Sequence, residues 1–94
     1  MSVWTYRKRP LVIEAVPALA VLRAIDDNWL RVPHWIRHAW LDHHIDLQGN
    51  YVLVRTLEGV VSAEQGDWIV RGIAGELYPV RGDIFADTYE KVDV

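Results

Sequence analysis

The 94-residue chain contains no cysteine, which excludes disulfide bonds and thiolate metal sites. It has no apolar run near the roughly 20 residues that a membrane-spanning helix needs. The net charge of −3 gives no bulk attraction to nucleic acid or to an anionic membrane surface. The N-terminus, MSVWTYRKRP, lacks the long apolar region of a secretory signal. We therefore expect a cytoplasmic protein without a membrane span or a bound cofactor.

Apolar residues make up 51% of the chain, and five of them are tryptophans. A chain of this length predicts a single domain, residues 1–94, with a modest core. Large aromatic rings bury much area each, so a few of them can close a small core. Tryptophan is also enriched at protein interfaces, so some of the five can lie on a partner-facing surface.

The first half of the chain predicts one strand and two helices. Leu11–Val16 is an apolar, β-branched run that Pro17 ends. Ala18–Ile25 is rich in helix formers, and its larger apolar residues recur at helical spacing at Leu19, Leu22 and Ile25. A second helix is expected to start near Pro33, with one apolar stripe formed by Ile36, Ala39 and Trp40.

The second half predicts short strands separated by glycine turns. The expected strands are Tyr51–Leu57, Val60–Ala63, Trp68–Val70, Glu76–Val80 and Thr88–Val92. Asp83 suits the N-cap of a short helical turn over Ile84–Asp87. The predicted fold class is α+β: a small mixed or mostly antiparallel β-sheet, built from the N-terminal strand and the C-terminal hairpins and covered by two helices.

Four segments resemble a known family: YRKRP-LVIEA at the start, then TLEG, GDWIVRGIAGELYP and DIFADTYEKV. They resemble the PGDYG-type family of small phage and prophage proteins. The matching positions are Tyr6, Arg7, Lys8, Pro10, Ile13, Glu14, Ala15, Thr56, Leu57, Glu58, Gly59, Gly66, Asp67, Trp68, Ile69, Gly72, Gly75, Glu76, Tyr78, Pro79, Asp83, Ile84, Phe85 and Tyr89.

The chain departs from the family pattern in two places beside turns. Gln65 stands where the family has proline, and Val80-Arg81-Gly82 replaces a more usual cysteine-lysine-proline. The helical middle of the chain matches poorly beyond Pro33–Ile36. The resemblance implies a phage or prophage context and no established activity.

His34 and His38 are four residues apart, so they share a helical face with the spacing of two zinc ligands. The glutamate that follows the first histidine in a metalloprotease motif is absent, and the alternative interpretation is surface histidines near a helix C-terminus. We therefore expect no metal, with His34 and His38 as weak candidates.

Catalysis has little support in the sequence. The two serines, Ser2 and Ser62, sit in no nucleophile-elbow context. Carboxylates for acid–base chemistry come from Glu58, Asp67, Glu76 and Asp83, and all four fall at turns or strand ends, where acidic residues commonly cap.

A ligand site is predicted from basic and aromatic residues. The cluster Arg7–Arg9 is either a solvated strand entrance or a patch that binds an anion. Alternation along β-structure places Trp68 and Val70 on one face and Arg71 on the other. The Arg71 face is expected to be wet, which puts Trp68 inside. The candidate ligand-binding residues are Tyr6, Arg7, Lys8, Arg71, Glu76 and Tyr78.

Two functions of different classes follow. The first is a non-catalytic protein-interaction module, a phage or prophage accessory factor that binds a host or phage protein and forms a homodimer. The alternative is a protein that binds or sequesters a nucleotide through Arg7, Lys8 and Arg71. A small hydrolase is the weaker third hypothesis.

Overall fold

The computed structural model describes residues 4–7 and 9–93. Its elements in chain order are β1 (Glu14–Pro17), α1 (Ala18–Ala24), a short 3-10 turn (Trp29–Arg31), α2 (His34–Leu41), β2 (Ile45–Gln48), β3 (Tyr51–Thr56), β4 (Gly59–Ala63), β5 (Trp68–Arg71), β6 (Leu77–Val80) and α3 (Gly82–Thr88). The predicted α+β class is confirmed. None of the helices in the described part of the chain has the length and apolar character of a membrane span.

The strands form two three-stranded antiparallel sheets rather than one. Sheet A has the order β1-β5-β6, and sheet B has the order β2-β3-β4. Sheet A therefore joins the N-terminal strand to a C-terminal hairpin, as predicted. Strand β2 was not predicted, because only Ile45 and Leu47 of its four residues are apolar. It pairs with β3 across a turn in which Gly49 has φ of 59°, a conformation that glycine adopts without steric cost.

Sheet B buries one face. Cross-strand partners share a face, so Ile45, Val54 and Val61 point to the same side. Val52, Val54 and Ala63 are fully buried, whereas Tyr51 and Val60 on the other side are exposed. This alternation is the pattern expected for a sheet with one solvated face, and the inner face contributes to the main core.

Sheet A is covered on both faces along β5. Ile69 and Val70 are consecutive, so they point to opposite faces, yet both are fully buried. Ile69 joins Val16 in the main core. Val70 lies on the Trp68 side, under α3. The expectation that the face carrying Arg71 is the wet one and that Trp68 lies inside was therefore wrong, although the Arg71 side chain itself is 42% exposed. Arg71 shares the core face with Ile69, at the end of the strand, and Trp68 is half-buried on the opposite face.

Helices α1 and α2 cover the core, and α1 does so through small residues. In α1 the buried residues are Ala18, Val21 and Ala24, whereas Ile25 is exposed. The sequence predicted a buried stripe through Leu19, Leu22 and Ile25. The stripe that is buried lies one residue earlier at each position. Small side chains let a helix approach its neighbour closely. In α2 the predicted stripe is confirmed, with Ile36 and Ala39 buried and Trp40 packed against the core.

Helix α3 differs from its prediction at both ends. It begins after Arg81, whose side chain makes no cap hydrogen bond, so Asp83 is not the N-cap. Asp83 instead forms an ion pair with Arg81 at 2.9 Å. The expected strand over Thr88–Val92 is not formed, because α3 runs to Thr88 and the described residues that follow it are irregular.

The end of α2 explains one of the histidines. His43 has φ of 60°, and its N–H donates to the carbonyl of Trp40 while His44 N–H donates to that of Ala39. These two bonds form a Schellman motif, in which the left-handed residue is usually glycine. His43 therefore occupies a position with a steric cost that glycine would avoid.

We predict that His43→Gly stabilises the protein by about 0.5–1 kcal/mol, because glycine removes the strain of the left-handed conformation. Urea unfolding would measure the change. His44→Gly is the matched control, since His44 does not have a positive φ; glycine there should be neutral or destabilising. A loss of stability in His43→Gly would contradict this assignment.

Gly82 allows α3 to pack against the turn before β5. A Cβ atom at Gly82 would overlap the backbone carbonyl oxygen of Gly66. Backbone cannot move aside as a flexible side chain can, so this close approach requires glycine. The contact places α3 over the Trp68 face of sheet A.

We predict that Gly82→Ala destabilises the protein by about 1–3 kcal/mol, because the added methyl group overpacks a rigid contact. Gly66→Ala is the control: its Cβ would meet nothing within 4 Å and its φ is not left-handed. Thermal unfolding of both variants would test the prediction, and equal stabilities would contradict it.

Candidate functional site

Two cavities open on the surface of the described part of the chain. The first, which we call the β1 groove, has a volume of about 520 Å³ and is lined by Leu11, Val12, Ile13, Glu14, Ala15, Trp68, Phe85, Tyr89, Glu90, Lys91 and Val92. The second, the intersheet cleft, has a volume of about 690 Å³ and is lined by His44, Arg55, Thr56, Leu57, Glu58, Val61, Gly75, Glu76, Leu77, Tyr78 and Pro79.

The floor of the β1 groove is a row of three aromatic rings. Trp68 stacks on Phe85 with ring centroids 4.1 Å apart and an interplanar angle of 7°. Phe85 contacts Tyr89 at 5.0 Å, one helical turn further along α3. Such ring pairs contribute roughly 0.5–1.5 kcal/mol beyond the area that they bury. The three rings are half-buried and all line the groove.

One wall of the groove is an apolar extension of β1. Leu11, Val12 and Ile13 precede the strand and pair with no strand among residues 4–7 and 9–93. Val12 is 72% exposed and Leu11 is 53% exposed. The sequence predicted a strand from Leu11, and the structure pairs only the part from Glu14 onward. The opposite wall, Glu90–Val92, is the segment that was expected to form the last strand.

The outer edge of β1 has free backbone groups. Ala18 N–H donates to the carbonyl of Asp67 at 2.9 Å, and hydrogen-bonded pairs alternate along an antiparallel ladder. The backbone groups of Val16 and Glu14 therefore point to β5, and those of Ala15 and Ile13 point outward. An unpaired strand edge of this kind is a template for another strand.

The free edge of β6 is blunted by proline. Gly72 N–H donates to the carbonyl of Glu76, so the backbone groups of Tyr78 and Val80 point to β5 and those of Pro79 point away. Pro79 has no N–H to offer on that side, and the edge cannot accept a regular ladder. Of the two edges of sheet A, β1 is the one that remains open to pairing.

The candidate ligand-binding residues do not form one site. Tyr6 and Arg7 are exposed in the irregular N-terminal segment and line neither cavity, and Lys8 lies outside the described residues. Arg71 forms an ion pair with Glu14 at 3.1 Å. Arg71 and Trp68 lie on opposite faces of β5, so the basic and aromatic residues do not share a surface there.

Glu76 and Tyr78 are the two candidates that the structure brings together, since both line the intersheet cleft. The pKa of Tyr78 is raised from 10.0 to about 12, first by burial and then by a hydrogen bond to Tyr89 and by the charges of Tyr89 and Glu76. This phenol links β6, at the cleft, to Tyr89, at the β1 groove.

We predict that stability falls as the pH rises from about 10 to about 12, because the unfolded Tyr78 loses its proton near 10 and the folded one resists until about 12. Below pH 10 the contribution of the protonated Tyr78 to the free energy of unfolding is fully present. Urea unfolding at a series of pH values should show a shallower loss for Tyr78→Phe. Tyr51→Phe, which removes an exposed phenol from sheet B, is the control; an equal change in both slopes would contradict the assignment.

The candidate histidines and carboxylates do not come together into a metal site or a catalytic site in the described part of the chain. His34 and His38 lie edge to face on α2, with centroids 5.7 Å apart. No group of three or more metal-ligating side chains occurs among residues 4–7 and 9–93. Of the four carboxylates considered for catalysis, Asp67 accepts a hydrogen bond from Glu64 N–H at 2.9 Å, and Asp83 binds Arg81.

Sequence reasoning missed several residues of the two cavities. It did not single out Phe85 and Tyr89 for the groove, although their helical spacing one turn apart was a usable signal. It also missed His44 and Arg55 in the intersheet cleft. These two residues come together through the pairing of β2 with β3, where Arg55 N–H donates to the carbonyl of His44 at 2.8 Å.

Comparison of the chain with protein-family models, with curated proteins and with solved structures finds no match. The resemblance to the PGDYG-type family therefore stays a prediction based on the quoted segments.

Proposed function

We propose that this chain is a non-catalytic protein-interaction module that binds an extended strand at the free edge of β1. The observation that carries the proposal is the unpaired apolar extension, Leu11–Ile13, beside a groove with an aromatic floor. Strand addition draws affinity from backbone hydrogen bonds and specificity from alternate side chains. Ile13 and Ala15 offer the backbone groups, and the groove offers apolar contact.

Exposure supports the same proposal. Exposed apolar patches mark interaction sites, and an unpaired strand edge is a template for another strand. Here Leu11, Val12 and Val92 are each more than half exposed and all line one groove. The resemblance adds the context of a phage or prophage accessory factor that acts in the cytoplasm.

The nucleotide-binding alternative has less support from the geometry. Its phosphate contacts were expected from Arg7, Lys8 and Arg71. The Arg71 guanidinium already binds Glu14. Arg7 and Arg71 are absent from the linings of both cavities.

We predict that peptides selected from a random displayed library on sparsely immobilised protein will contain alternating β-branched residues and will lose binding to Ala15→Pro. Proline at this position removes an outward N–H and leaves the ladder bonds to β5 in place. Fluorescence polarisation with the selected peptides would measure the loss.

Ser62→Pro is the matched control, because Ser62 is exposed on β4 and its N–H points away from β3 by the same alternation. It should retain binding. Circular dichroism would verify that both variants fold. A selection without enrichment, or peptides that bind Ala15→Pro as well as the parent, would overturn the proposed function.

A further inference from the structure

We propose that the strand which pairs with β1 is the β1 segment of a second copy of this chain, in an antiparallel arrangement about a two-fold axis. The inference rests on the proposed function and names its partner. The result would be a continuous six-stranded sheet of the order β6-β5-β1-β1-β5-β6, which leaves the proline-blunted β6 edges outermost.

Self-complementarity is the first argument. A two-fold interface places the same surface of both copies in contact, so each copy must offer both the template edge and the strand that fills it. The segment from Leu11 to Ala15 does both. It carries the outward backbone groups of Ile13 and Ala15, and its first three residues are an apolar extension of β1 that pairs with no strand in the described part of one copy.

Charge is the second argument. The segment is basic at its start, with Arg7, Lys8 and Arg9, and acidic further along, at Glu14. An antiparallel pair lays the basic end of each copy toward the acidic position of the other, whereas a parallel pair sets like charges side by side. The Glu14 side chain is 59% exposed beside Arg71, so it can face a second cation, and Glu90 adds another carboxylate on the groove wall.

The pairing register follows from the outward groups. The outward backbone groups of Ile13 and Ala15 must donate and accept hydrogen bonds across the new ladder. Outward residues of one copy therefore pair with outward residues of the other, which places the two-fold axis at Val12, Ile13 or Glu14. An axis at Glu14 sets two carboxylates directly opposite each other, which is unfavourable. An axis at Val12 or at Ile13 pairs apolar residues across the centre and keeps the two Glu14 side chains apart.

Because the chain contains no cysteine, a single introduced cysteine can report the position of the two-fold axis by disulfide cross-linking. A single cysteine on the axis faces its own counterpart, at Cα separations of about 4.5 Å or 5.5 Å for the two kinds of antiparallel pair, and both suit a disulfide. Val12→Cys and Ile13→Cys are the test variants. Ser62→Cys, exposed on the free edge of β4, is the matched control.

We expect mild oxidation at micromolar protein to cross-link Val12→Cys or Ile13→Cys at least about tenfold faster than Ser62→Cys, since pairing raises the effective thiol concentration. The faster of the two identifies the axis. Adding Ala15→Pro to the faster variant should reduce its rate to that of the control. Sedimentation velocity of the unsubstituted protein should show a concentration-dependent dimer that Ala15→Pro shifts to monomer.

Two results would overturn the inference. One is cross-linking at positions 12 and 13 no faster than at 62, with a monomer at all concentrations. The other is a dimer that Ala15→Pro leaves intact, which would place the contact elsewhere, for example at the segment Glu90–Val92. Because the peptide selection uses sparsely immobilised protein, it can succeed when the dimer fails; that outcome would assign the β1 edge to another protein.

Discussion

The antiparallel pairing of β5 with β1 is the contact on which the rest of the structure depends. It joins the start of the chain to its last third through the register Glu14 to Arg71 and Val16 to Ile69. Ile69 then closes the main core on one face, and Val70 is buried on the other. Strand β5 is the central strand of sheet A, and it is covered on both faces.

The packing on both faces of sheet A depends on β5. On the core side, α1 and sheet B cover Val16 and Ile69. On the other side, the contact between Gly82 and Gly66 brings α3 close enough for Phe85 to stack on Trp68. The second arrangement leaves a groove, because α3 is short and the residues after it do not return to pair with β1. The surface that we assign to binding is thus the part of sheet A that the chain does not cover.

The prolines show how the edges of sheet A differ. Pro17 and Pro79 both lie where the missing N–H would point away from β5, so neither weakens the ladder. Pro79 removes one of the outward N–H groups of the short strand β6 and so interrupts any ladder on that edge. Pro17 lies at the last position of β1, and Ile13 and Ala15 keep their outward groups. One edge of the sheet is therefore closed to pairing and the other is open.

Much of the fold could be predicted because it depends on local patterns. The alternation in Tyr51–Thr56, the apolar stripe of α2 and the glycine corner before Glu76 each report a backbone conformation directly. Strand β2 could not be predicted, since four residues with two apolar side chains are stable as a strand only when β3 is beside them. The strand expected at Thr88–Val92 is not formed, because α3 extends to Thr88 and the described residues that follow it pair with no strand.

The candidate site was less predictable than the fold. Alternation correctly separated Trp68 from Arg71, but it could not say which face meets the core, because that depends on where α1, α3 and sheet B pack. The sequence by itself determined the α+β class, the approximate positions of α1, α2 and the strands β3 to β6, and the apolar character of Leu11–Ile13. Only the tertiary structure decided that these three residues extend beyond their partner strand, because register is a property of two segments and is set where their buried faces meet.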